Sequence, residues 1–189
     1  ALRMRAWSVM QNAKFGNPKW GVSLAPLMGL ELIAHAREAF PGLELRQQFH
    51  EIAKAVLDDA RSRKRPIALV LQSMGVFMVR RRKLAKRLTN ATIKSLVKDG
   101  YLKPAMQPSG EPVLIVRLPE LLASELAALI AHELTQSELS DPATAAKWLT
   151  GASSNLPLGD IVTAQAILDA ASSGFGLSLA LVFALAEAR

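Results

Sequence analysis

Two His-Glu pairs are the first residues whose types and spacing could do chemistry. His50-Glu51 and His132-Glu133 each reproduce the opening half of a helical zinc-protease motif. In that motif two histidines four residues apart ligate the metal and the glutamate between them acts as base. Here Lys54 and Gln136 stand where the second histidine is needed. His35, His50 and His132 are therefore read as helix-surface or core histidines. Asp58-Asp59 is an acidic pair at the end of a helical pattern with no third carboxylate nearby, and its expected role is to neutralise Arg61 and Arg63. Gly151-Ala152-Ser153-Ser154 and Ser172-Ser173-Gly174 do not fit a nucleophile elbow. No glycine-rich loop closes on Lys-Ser or Lys-Thr. The absence of cysteine excludes disulfides, thiol catalysis, Cys-ligated zinc and iron–sulfur clusters. The sequence thus offers no catalytic set, no metal site and no cofactor, and the expectation is a chain that is not itself an enzyme.

Charge is a more specific signal. The 189 residues carry a formal charge of +7, yet 13 of the 23 Lys and Arg fall between Arg61 and Lys103, where Asp99 is the one acid. Surfaces ordinarily intersperse the two signs, and a block of one sign costs self-repulsion. Such a block is expected to face an anionic partner. Half of the residues are apolar, so the chain can bury a core, and aromatics at 5% argue against a surface that stacks many unpaired bases.

The elements that must position this block can be read from periodicity and punctuation. Residues 2–13 are weakly helical, and Gly16-Asn17-Pro18 breaks the chain. Pro26 opens a helix with Leu27, Leu30, Ile33 and Ala34 on one face, ended by Pro41-Gly42. The next carries Leu45, Phe49, Ile52, Val56, Leu57 and Ala60, the clearest amphipathic pattern in the chain, and closes in the run Arg61 to Pro66. A short helix is expected over 67–71, a strand over 76–79, and a helix from Arg80 to Leu88 with Leu84, Ala85 and Leu88 inward. Thr89-Asn90 supplies a turn and a helix cap, 91–99 form a helix with Ile93, Leu96 and Val97 inward, and Gly100 ends it. Strands over 101–106 and 113–118 flank a loop rich in Pro and Gly. Thereafter Pro119 opens a helix, Asp141-Pro142 caps and starts a second that ends before Gly151, and Asp160 caps a third. Gly174-Phe175-Gly176 precedes a last apolar helix, Leu177 to Ala186.

From Pro66 to Leu118 this order is helix, strand, helix, tight turn, helix and hairpin. The segment Arg82-Lys83-Leu84-Ala85-Lys86-Arg87-Leu88, followed by Thr89 to Leu102, resembles the winged helix-turn-helix superfamily of DNA-binding domains. The resemblance rests on the Leu-Ala pair of the second helix, the Thr-rich turn, apolar residues three apart in the recognition helix and the closing glycine, and covers about 53 residues, counted from Pro66 to Leu118. It departs from the pattern in a cramped turn and an arginine-rich second helix. The fold expected is mainly α, a winged helix-turn-helix with a small β-hairpin wing between helical segments. The segments are 1–65, 66–118 and 119–189.

Arg80, Arg81, Arg82 and Lys83 crowd an expected helix start, where the macrodipole favours acids, and an opposing phosphate backbone would reverse that sign. Lys86 and Arg87 extend the set. Asn90, Thr92, Lys94, Ser95 and Lys98 are the non-core positions of the next helix, mixing phosphate-type and base-type contacts, and Lys103 and Ser109 would set the wing on a neighbouring phosphate. The expected partner is nucleic acid, double-stranded DNA above all, met by a regulator of transcription, partition or replication or by an accessory domain of a mobile-element protein. Two readings compete: an adaptor whose basic face takes an acidic protein segment, and a non-catalytic domain of a DNA-processing enzyme such as a relaxase. Residues 161–186 are the candidate face for a homodimer or protein partner, with the core of a helical subdomain as the plainer reading. The uncharged stretch 170–186, broken by Ser172-Ser173-Gly174 and Gly176, is read as buried rather than as a membrane span. The absence of a signal-like N-terminus and of cysteine fits the cytoplasm.

Overall fold

Apolar residues at steps of three and four turn the first described stretch into two helices, α1 (Leu24–Glu38) and α2 (Leu43–Ser62). The computed structural model describes residues 24–62, 76–136 and 141–173. The expected elements over 2–13, 67–71 and 177–186 lie outside these residues. Phe49, Ile52, Ala53, Val56, Leu57 and Ala60 of α2 are buried, so the inward stripe of this helix follows its sequence periodicity. Helix α1 starts two residues ahead of Pro26, which its first turn tolerates because those N–H groups have no partner within the helix.

Next come β1 (Met78–Arg80), α3 (Arg81–Leu84), α4 (Asn90–Lys98), β2 (Leu102–Met106) and β3 (Pro112–Val116). The strands form one antiparallel sheet in the order β1-β3-β2, with Arg80 opposite Val113 and Pro104 opposite Leu114. The expected helix over 80–88 is thus corrected. Arg80 is the last residue of a strand, and regular helix stops at Leu84. Phe77 and Val79 are fully buried while Met78 and Arg80 are half-buried, and that period of two keeps the chain extended. The three cations that follow, Arg81, Arg82 and Lys83, supply no apolar face to lengthen a helix.

Helix α4 is bounded at both ends. Thr89 is its N-cap, the Thr92 amide donating to Thr89 Oγ1 at 3.1 Å. At the other end Tyr101 N donates to Leu96 O at 2.9 Å and Gly100 N to Val97 O at 3.2 Å, the paired bonds of a Schellman stop. Gly100 takes φ +81°, a left-handed value that favours glycine there.

Three longer helices follow: α5 (Pro119–Thr135), α6 (Pro142–Asn155) and α7 (Gly159–Ser172). Asp141 caps α6, its Oδ2 accepting from the Thr144 amide at 2.8 Å and hydroxyl at 2.6 Å. Two boundaries differ from expectation. Helix α6 runs through Gly151 to Asn155, because a single glycine lowers helix stability by about 1 kcal/mol without ending the helix. Asp160 does not cap α7. The cap position is Leu158, left-handed at φ 55°, and Asp160 sits in the first turn.

Helix α5 is the centre of the packing. Leu121 to Ala127, Ile130, Ala131 and Leu134 are buried against α1, α2 and α7. Each fully buried Leu or Ile contributes about 1.5–3 kcal/mol. Gly29 lets α1 approach α7, since a Cβ there would lie 2.7 Å from Ile161 Cδ1. Helix α2 links the two halves, packing on α5 and α6 and also on β1 and α3. Phe49 meets Tyr101 edge to face at 6.2 Å between ring centres. The architecture is mainly helical with a small three-stranded sheet. One buried cluster joins residues from all three expected segments.

Candidate nucleic-acid interface

The α4 side chains divide by helical geometry. Ile93 and Leu96 point into the core with Val97 half-buried beside them, which leaves Asn90, Lys94, Ser95 and Lys98 exposed on the opposite arc. Two polar members of this helix are already engaged. Thr92 is half-buried and sits 2.9 Å from the capping Thr89 hydroxyl, and Ser95 Oγ donates to Asp99 Oδ2 at 3.0 Å. Lys103 is exposed on β2, and Ser109 is exposed in the hairpin loop beside Gly110.

The arginines ahead of α4 separate into two groups. Glu111, at the end of the hairpin loop, holds Arg80 Nε at 3.2 Å and Arg82 Nε at 3.0 Å, and Arg80 Nη1 also lies 3.5 Å from Asp59 on α2. Arg87 turns back to α2, with Nη2 2.6 Å from Asp58 and Nη1 3.4 Å from Glu51. The hydrogen bond that Arg87 donates to Asp58 is the main reason its guanidinium holds its proton even more tightly than usual. Burial opposes the charged form of Glu51, but hydrogen bonds and charge from Lys54 and then Arg87 outweigh it and hold the carboxyl below the usual range. Arg80, Arg82 and Arg87 therefore have acidic partners within the chain. Arg81, Lys83, Lys86, Lys94, Lys98 and Lys103 make no ion pair with the described residues.

Arg81 and Lys94 meet at one feature. A groove of about 540 Å³ runs between α4 and the hairpin, lined by Ile93, Val97, Ala105, Met106, Val113 and Leu114 with these two cations. Sequence reading did not find it, because it combines the side of a period-3.6 element with the face of a period-2 element. The one local signal was Met106, an apolar residue 66% exposed at the hairpin end of β2.

A second polar cluster joins the helical half. Glu125 of α5 is 3% exposed and receives Arg46 Nε at 2.9 Å, with His50 Nδ1 3.2 Å away. Asp169 of α7 binds Arg37 at 2.6 Å and accepts from Gln165 at 2.8 Å. These pairs fasten helices to one another. Val162, Ala166 and Ala170 of α7 pack into the core while Leu168 is half exposed, and 174–186 lie outside the described residues. Among the described residues no group of three or more His, Asp and Glu could hold a metal ion, and no helix is long and apolar enough to cross a membrane. No known protein family, curated protein or solved structure matches this chain.

Proposed function

We propose that this chain binds double-stranded nucleic acid through α4, the turn before it and the hairpin, acting as a winged helix-turn-helix. The observation that carries the reading is the set Arg81, Lys83, Lys86, Lys94, Lys98 and Lys103, six cations without acidic partners among the described residues, on consecutive short elements. The element order supports it. Helix α2, β1, α3, α4 and a hairpin whose second strand lies between the other two follow the order of that superfamily. In this arrangement α4 is the helix that enters the major groove. Lys94 and Lys98 supply charge, and Asn90, on the first turn, has the side chain that can pair with adenine. Arg80, Arg82 and Arg87 leave the phosphate set, because their own carboxylates occupy them. With α3 only one turn long, the case for phosphate binding moves from its N-terminus to the cations of α4 and the adjoining turns.

The test is binding of a labelled random-sequence DNA duplex to the full chain and to Arg81→Glu/Lys86→Glu/Lys94→Glu. The reading predicts that the triple variant, folded by circular dichroism, loses binding by at least about a hundredfold. Equal binding by the two proteins would overturn it.

A further inference from the structure

The groove beside α4 has a composition that phosphate binding does not use. Its floor is Ile93, Val97, Val113 and Leu114, Met106 stands exposed on its lip, and Arg81 and Lys94 are its charged residues. No acid lines it. An apolar trough with cations at its edge is complementary to a ligand that carries apolar side chains and carboxylates together. Its volume suits a few large side chains.

The neighbouring strand narrows the choice of ligand. Strand β2 is an edge of the sheet, where an extended peptide could add as a further strand. Pro104 lies at its middle and has no N–H, which interrupts the row of edge donors. A ligand seated here is held by side chains, as a helix in a groove is held by anchors three and four residues apart.

We propose that the groove between α4 and the hairpin docks an acidic amphipathic helix of a partner protein. Leucine- or phenylalanine-type anchors sit against Val97, Ala105 and Met106, and flanking carboxylates pair with Arg81 and Lys94. The site stands whether or not α4 meets nucleic acid. Because Arg81 and Lys94 belong to both surfaces, peptide and duplex compete.

The probe is a fluorescent synthetic peptide of about 14 residues, roughly four helical turns, with Leu and Phe on one face and Glu on the other. Its anisotropy is read against the full chain, beside a shuffled peptide of equal composition. The expected result is saturable binding that the shuffled peptide does not reproduce. Met106→Ser, at an exposed position, weakens it by about tenfold and leaves duplex binding within about twofold. Ala105→Trp, which fills the groove, abolishes it while circular dichroism stays unchanged. Equal binding of the shuffled peptide, or no effect of Met106→Ser, overturns the proposal. So does a lack of peptide binding by a chain that still binds duplex, which leaves the nucleic-acid reading standing. A dimer that Met106→Ser dissolves, without peptide binding, assigns the groove to a second copy and also overturns it.

Discussion

Glu111→Gln is expected to move stability and nucleic-acid affinity in opposite directions. Glu111 ties the hairpin to the end of β1 and to α3 by holding Arg80 at 3.2 Å and Arg82 at 3.0 Å. The Arg82 side chain is 69% exposed, so that pair contributes at most about 1 kcal/mol. The Arg80 side chain is 26% exposed and keeps Asp59 at 3.5 Å when Glu111 is neutralised, which limits the second loss. A total of about 1 kcal/mol lowers Tm by roughly 2–4 °C in a chain of this size. The same substitution frees Arg82 and removes a negative charge beside the proposed phosphate path. One further phosphate contact tightens duplex binding by roughly three- to tenfold at 0.1 M salt and steepens the salt slope by about 0.9. The assay pairs thermal unfolding with duplex anisotropy. Glu38→Gln on α1, an exposed acid, serves as the control for net charge. Tighter binding by Glu111→Gln and an unchanged control is the expected pattern. Equal tightening by both variants, or weaker binding by Glu111→Gln, would refute the idea that Glu111 withholds Arg82 from the proposed phosphate path.

Other perturbations follow from the same contacts. Thr89→Ala removes the α4 cap and should cost about 1 kcal/mol in urea unfolding, with faster amide exchange at the start of that helix. Arg46→Ala leaves the buried Glu125 with His50 alone, and urea unfolding should report a loss of about 1–3 kcal/mol. Glu51→Gln tests the acid limb of stability. The folded carboxyl of Glu51 binds its proton more weakly than the unfolded one, so its contribution is full above the unfolded pKa of about 4.3 and is lost as pH falls through the lower folded value. The variant should therefore be less stable than wild type at pH 7, and the gap should close below about pH 4.

Local physics made much of this fold readable. The 3.6-residue pattern from Leu45 to Ala60 marked α2, Thr89 and Gly100 marked the ends of α4, and the turn-rich loop marked the hairpin. Each of those signals lies within one element. The boundary between β1 and α3 was not readable, because Arg80 to Lys83 have no apolar alternation, and Arg80 is held in the sheet by the burial of Phe77 and Val79 and by its pairing with Val113. The division of the cations was not readable either. Arg87 finds Asp58 across 29 residues, and Arg80 finds Asp59 and Glu111 only once α2 and the hairpin have closed around it. Charge counted along the sequence therefore overstated the number of cations that lack acidic partners among the described residues.

The most direct measurement is the salt dependence of duplex binding by the wild-type chain. If all six cations without acidic partners among the described residues neutralise phosphates, log K falls against log salt with a slope of about −5, and affinity drops roughly a thousandfold between 50 and 200 mM salt. A slope near zero, or no binding to any duplex at low salt, would contradict the proposal that this face meets nucleic acid.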